Sequence, residues 1–415
     1  MIVQNCPELL VSPMKFVKEL ISYSTAKNKV FKKFEEILDD KFEEIEINKA
    51  FGKICFEDIY APCNIPMFNR SAMDGYAVIA EDTFGASQTN PIILNLVETD
   101  SINEEEIYRL STGMKLPENS NAVVMKEYTK EYDSFVEIYT GVHPNENVSR
   151  IGEDVKTGDL VLKKGELITP YHVALISSLG LKKIKCYSLN IGVIATGDEL
   201  LDIEDLESIE KLAKSAMIVN SNSMMVSDLV KETGLSPTVY RKVPDNSEEL
   251  EKAIKKALVE NDVVITTGGT SVGDRDYTID IIKKIGNLIF HGIQIRPGRP
   301  VGFAETEVEG KKKLLFVLSG YPVASAVQFE LLIANYFKPR KLVKLQINRN
   351  IASSLGRTDI VRVKLVESEG FTKIEPLRIT GSGVLSSMTK ADGYMMIKEN
   401  IEGYEKDEFV EVYLF

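Results

Sequence analysis

The stretch Val263-Val264-Ile265-Thr266-Thr267-Gly268-Gly269-Thr270-Ser271-Val272-Gly273-Asp274-Arg275-Asp276-Tyr277 decides the fold. A short apolar, β-branched run empties into glycine, hydroxyl and carboxylate, and a helical pattern follows from Thr278 to Ile285. A strand without polar alternation is buried on both faces, as in a parallel sheet covered by helices. Upstream, Ile191 to Ala195 reads as an apolar strand and Ser223 to Glu232 as a helix stopped by Gly234. Thr238 to Val243 is strand-like, and Ser247 to Val259 is a helix with Leu250, Ile254, Ala257 and Leu258 on one face. Downstream come strands at Leu288 to Ile293 and Leu314 to Leu318, then a helix from Val323 to Tyr336. This alternation predicts a mostly parallel α/β layer with ligands at the C-terminal strand ends.

Farther out the pattern changes. From Ile79 to Tyr139 brief β-prone runs, Ile92 to Val97, Ala122 to Met125 and Phe135 to Tyr139, are divided by turn residues and predict a β-rich insertion. Between Val155 and Leu181 a turn at Gly158-Asp159 leads to a strand at Leu160 to Leu162 and a helix from Pro170 to Leu179. After Lys338 the strands Asp359 to Leu365, Lys373 to Leu377, Tyr394 to Ile397 and Phe409 to Leu414 predict a C-terminal β domain. Near the start, Pro13 to Tyr23 reads as a short helix and Lys32 to Glu44 as a solvated helix and its connection.

At 415 residues the chain holds two to four such units. No apolar run approaches the ~20 residues of a membrane span, and no leader is visible at Met1 to Val11, so a cytoplasmic location is expected. Three histidines and four scattered cysteines offer no zinc spacing, so any metal would be a hard cation bound through oxygen. A formal charge of −12 argues against nucleic acid and requires a local cationic cluster if the substrate is an anion.

Four segments carry the chemistry. Thr196-Gly197-Asp198-Glu199-Leu200 brings a hydroxyl and two carboxylates off a strand end, although an acidic pair in a turn is by itself more often only solvated. In the loop from Gly268 to Tyr277, glycines let backbone N–H groups approach an anion, and Asp274 and Asp276 are candidate Mg²⁺ ligands or helix caps. Ile295-Arg296-Pro297-Gly298-Arg299-Pro300 sets two guanidiniums about a rigid turn, suited to an oxyanion. In Pro66 to Val78, the small Ser71, Ala72 and Gly75 permit close approach by a ligand or second subunit, with Asp74 as the polar group presented.

Taken together these segments resemble the molybdopterin molybdenumtransferase family, which includes the C-terminal part of gephyrin. The resemblance spans nearly the whole chain and rests on Ser71-Ala72-Met73-Asp74-Gly75-Tyr76-Ala77, Ser111-Thr112-Gly113, Arg150 with Gly152-Glu153-Asp154, Thr196 to Leu200, Gly268 to Tyr277 and Gly381-Ser382-Gly383, in family order. It implies a homodimer with a cleft shared between subunits. The domains implied are a split linking domain (13–66 and 154–185), a β-rich inserted domain (67–153), an α/β molybdopterin-binding domain (186–338) and a C-terminal β domain (339–415). The implied reaction inserts molybdate into molybdopterin adenylate with release of AMP.

The resemblance also assigns roles. Asp74, Glu199 and Asp276 are the expected catalytic residues, and Glu199, Asp274 and Asp276 the expected Mg²⁺ ligands. Thr112, Arg150, Thr196, Gly197, Asp198, Gly268, Gly269, Ser271, Arg296, Arg299 and Ser382 are the expected substrate-binding set. Asp74, Thr112 and Ser382 are expected to face the cleft from other domains, with the partner subunit as their source. An upstream adenylyltransferase and a downstream molybdoenzyme are the implied partners. Two departures stand out: Arg296 and Arg299 occupy positions where the family commonly has Lys, and Tyr321 follows Ser319-Gly320 where it commonly has an amide. The competing readings are an adenylyltransferase-like activity, which would not need the Ser71 to Ala77 segment, and a non-catalytic cofactor-binding scaffold.

Overall fold

The computed structural model describes residues 20–269, 277–368, 370–377 and 382–415. The helix expected from Pro13 lies almost wholly outside them. The first described helix is Tyr23–Leu38, capped by Ser22, whose Oγ accepts from the Thr25 amide. It is solvated on one face only. Ala26, Val30, Phe34, Ile37 and Leu38 recur at helical spacing and are buried, and the Phe34 ring stacks 6.0 Å from that of Phe316 in the central sheet. The Lys32 to Glu44 stretch is therefore half core, because charged residues alternate there with the buried stripe, and its helix covers the α/β layer.

That layer is a six-stranded sheet in the order Ser236–Val239, Asn190–Ala195, Val263–Thr267, Lys311–Leu318, Gly302–Val308, Asn287–His291. The first three pairings are parallel and the last two antiparallel. The strand Gly302–Val308 was not anticipated, since its Glu305, Thr306 and Glu307 break the apolar signal. Helices Ser221–Glu232 and Ser247–Glu260 cover opposite faces, with Val226 and Val230 in one core and Leu250, Ile254 and Leu258 in the other. The closing helix is not continuous: Pro322–Phe329 passes into a π-helical turn, Glu330–Ala334, before Asn335–Phe337.

Strand Phe42–Glu46 pairs antiparallel with Lys183–Tyr187, and Ile59–Tyr60 with Leu160–Leu162, so two distant stretches are stitched into one small unit. The β-rich insertion is a six-stranded sheet ordered Ala122–Met125, Gly75–Val78, Glu106–Leu110, Ile92–Val97, Phe135–Ile138, Thr129–Glu131. At the C-terminus Thr358–Ser368, Phe371–Pro376, Lys341–Ile347, Phe409–Leu414 and Gly393–Ile397 close on themselves, because the last strand also pairs with the first. The short strand Ile295–Arg296 leaves the α/β layer and adds to this barrel beside Thr358 and Asp359.

Candidate active site

Three loops meet at the C-terminal ends of the parallel strands. Thr196 follows Asn190–Ala195, Gly268 follows Val263–Thr267, and Ser319-Gly320-Tyr321 follows Lys311–Leu318. They touch through backbone. A Cβ on Gly268 would stand 2.4 Å from the Thr196 carbonyl oxygen, and one on Gly320 would stand 3.5 Å from Gly268 Cα. Gly268 and Gly269 have φ of +100° and +66°, a region that favours glycine.

The acidic loop is held by a residue not singled out in the sequence. Asp245 accepts a 3.0 Å hydrogen bond from the Thr196 hydroxyl, and its amide donates at 3.1 Å to Asp198. The available signal was Asp245-Asn246 ahead of a helix: Asn246 is the cap, which leaves the Asp245 side chain for the site. The Glu199 carboxylate folds over Gly197, where a built Cβ would lie 2.6 Å from it. Asn222 is a second unanticipated residue, donating at 2.6 Å to the Gly320 carbonyl.

The arginine turn divides into two different roles. Arg296 pairs with Asp359, a fully buried carboxylate of the barrel that also takes Arg357 at 3.1 Å and Ser353 at 2.8 Å. A buried carboxylate needs compensating cations, and Arg296 and Arg357 supply them, so one nitrogen of the Arg296 guanidinium is engaged by the barrel. Arg299 is exposed, and among the described residues no ion pair is recorded for it. Buried Gln328 ties this turn to the Tyr321 turn: it accepts from the Ser319 amide at 2.7 Å and donates to the carbonyls of Gly298 and Pro300 at 2.7 and 2.8 Å. Tyr321 is 63% exposed at this turn. Ser382 reaches the same turn within its own chain, where its carbonyl accepts from the Val323 amide at 3.1 Å.

A second group lies in the β-rich sheet. The Asp74 carboxylate accepts from the Thr112 amide at 2.7 Å and from its hydroxyl at 3.0 Å, and Asp74 lines a cavity of about 450 Å³ together with Arg109, Ser111 and Lys126. Gly75 is small for a local reason rather than for a ligand, since a Cβ there would lie 2.0 Å from the Val124 carbonyl oxygen of the neighbouring strand. Ser71 is likewise buried and bonds to the Met73 backbone. Arg150 is exposed on the adjoining hairpin, where its amide donates to Glu153. Among the described residues no hydrogen bond or ion pair connects Asp74 or Thr112 to the Asp198 group of the same chain.

The two Thr112 bonds hold the Asp74 carboxyl below its ordinary value. The folded value being depressed, its ionised form is retained above the unfolded value and lost only as pH falls through the folded one. Thr112→Val is expected to raise the Asp74 titration midpoint, read by carboxyl carbon chemical shifts; an unmoved midpoint would exclude this hydroxyl as a cause.

Ser271, Asp274 and Asp276 lie outside the described residues, and among the described residues no three carboxylate, thiol or imidazole groups gather into a metal site. No described helix is long and apolar enough to cross a membrane. Residues 21–180 match the MoeA N-terminal region (domain I and II), 192–339 the probable molybdopterin binding domain, and 344–415 the MoeA C-terminal region (domain IV). A molybdopterin molybdenumtransferase of Haemophilus influenzae is 32% identical over 374 residues, covering 86% of this chain and 90% of that protein. The chain belongs to the molybdopterin molybdenumtransferase (MoeA) family. A Methanocaldococcus jannaschii protein named for molybdopterin biosynthesis is 55% identical across 97% of this chain and all of that one. The crystal structure of a MoeA protein from Pyrococcus horikoshii superposes with a TM-score of 0.75 at 32% identity, over 96% of this chain and all of that chain. MoeA-like architecture accounts for the combination of α/β layer, β-rich sheet and barrel, and the chain is a transferase of molybdenum cofactor biosynthesis.

Proposed function

We propose that this MoeA-family chain inserts molybdate into molybdopterin adenylate and releases AMP, in a cleft completed by a second copy of the chain. The observation that carries the reading is the split constellation. Asp198, Glu199, Gly268 and Gly269 sit at one strand-end cluster, while Asp74 and Thr112 sit on another sheet, and among the described residues no hydrogen bond or ion pair joins the two groups within the chain. A cleft built from both groups therefore draws them from two protomers, as an isologous dimer does.

In this cleft the backbone of Gly268 and Gly269 approaches the phosphates of the adenylate, and exposed Arg299 attracts the anion to an otherwise acidic protein. Asp198 is kept in position by the Asp245 amide, and Asp74, held ionised by Thr112, orients the pterin side of the substrate. The donors fit a hard cation in chemistry, all being oxygen: Mg²⁺ held by Glu199, Asp274 and Asp276 would neutralise the pyrophosphate during cleavage. A molybdate oxygen attacks the pterin-side phosphorus of the pyrophosphate while the bridging P–O bond breaks and AMP leaves with its electron pair, so no protein nucleophile is required and the protein acts by positioning two anions. The adenylate would come from an adenylyltransferase and the product pass to a molybdoenzyme.

The test is AMP release from molybdopterin adenylate with Mg²⁺ and molybdate. Asp74→Asn and Glu199→Gln are each expected to lose it. Mixed and re-equilibrated, the two variants should recover roughly a quarter of wild-type activity, because half the dimers are mixed and each carries one intact cleft. No recovery in a demonstrated mixed dimer would sink the shared cleft; adenylate binding without AMP release by the wild type would sink the transferase reaction.

A further inference from the structure

Cys55 and Cys186 face each other across an antiparallel bridge in the small unit that joins the two distant chain stretches. The flanking bonds, Phe56 amide to Lys185 carbonyl at 3.0 Å and Tyr187 amide to Ile54 carbonyl at 2.9 Å, lie one residue to either side. The cysteines are thus a non-hydrogen-bonded pair, the position at which opposing Cα atoms approach to about 4.5 Å and side chains leave the same face. A disulfide spans Cα separations of about 4.4 to 6.8 Å. Both side chains are fully buried in one core with Ile59, Leu162 and Ile168, which confirms the common face.

We propose that Cys55 and Cys186 are a site of disulfide formation by exchange with a small-molecule disulfide, and that the bond clamps the two stretches together. The loop it closes contains the whole β-rich sheet, from Gly75 to Ile138, so the crosslink restricts a large part of the unfolded chain. In the closed protein the pair is quiet: burial pushes the Cys186 thiol up to about 12 and the Cys55 thiol in the same direction, and Cys55 Sγ donates at 3.0 Å to the Glu57 carbonyl. Access comes through local opening. Ile54 and Cys55 belong to no regular strand, and their backbone bonds reach only two short neighbours, Gly165 to Leu167 on one side and Lys185 to Tyr187 on the other; such a short pairing is of the kind that opens below the global unfolding free energy.

The exchange balances with oxidised glutathione. One cysteine thiolate attacks the glutathione disulfide and expels one glutathione thiolate; the facing thiolate attacks the protein sulfur of the mixed disulfide and expels the other. The protein is oxidised by two electrons, and its two thiol protons end on two reduced glutathione molecules.

The full-length protein is incubated with oxidised glutathione at rising temperatures below its melting point, then digested without reduction and mapped by mass spectrometry. The expected product is a Cys55–Cys186 linked peptide, a protein lighter by about 2 Da, and a melting midpoint several degrees higher that dithiothreitol reverses. Cys55→Ser and Cys186→Ser should each abolish the linked peptide and the rise. Differential alkylation of the wild type decides the matter if a serine variant does not fold. Two persistent thiols, single glutathione adducts, or pairing with Cys63 would overturn the site, and a bridge that forms but lowers the midpoint would overturn the clamp.

Discussion

Gly268→Ala is expected to reduce molybdate-dependent AMP release by on the order of a hundredfold or more, the loss that follows when site groups move by about 1 Å. The new Cβ would sit 2.4 Å from the Thr196 carbonyl oxygen, a backbone atom that cannot swing away, and φ of +100° strains any side chain. The loops carrying Thr196 and Gly268 must part, and Asp198 and Glu199 move with the first of them. Gly320→Ala is the control, since its Cβ meets Gly268 Cα at an ordinary 3.5 Å. It should melt as the wild type does. AMP release by Gly268→Ala within about threefold of wild type, in a folded protein, would show that the loop contact does not set the site geometry.

The second large effect is on stability. Gln328→Ala is expected to lower the unfolding free energy by about 3 to 5 kcal/mol, because three backbone groups lose their partner at a buried position and each orphan costs about 1 to 3 kcal/mol before relaxation. Gln328→Leu keeps most of the volume and should cost nearly as much if hydrogen bonding rather than packing is responsible. Denaturant unfolding measures both, as a lower midpoint at unchanged slope. A loss below about 1 kcal/mol in the leucine variant would mean that water replaces the amide.

The expected family and the α/β layer were both legible in the sequence, the layer because strands Asn190–Ala195 and Val263–Thr267 are uninterrupted apolar runs ending in glycine loops. The inner face of helix Tyr23–Leu38 was harder to see. Its buried residues are spaced among lysines and glutamates, and only the sheet against which they pack distinguishes core from solvated surface. Strand Gly302–Val308 was hidden for a related reason: its C-terminal half is polar, and its place is set by seven pairings with Lys311–Leu318.

The sequence by itself determined which groups are available to the proposed site: the carboxylates of Asp74, Asp198 and Glu199, the hydroxyl of Thr112, and the glycines at 268 and 269, because these chemistries and backbone freedoms are properties of residue type. Tertiary structure decided their assignment. It turned Arg296 inward to Asp359, left Arg299 outward, recruited Asp245, Asn222 and Gln328, and gave Gly75 to a neighbouring strand. These outcomes depend on pairwise distances between residues far apart in the chain. Local pattern carries no information about which charge will meet which.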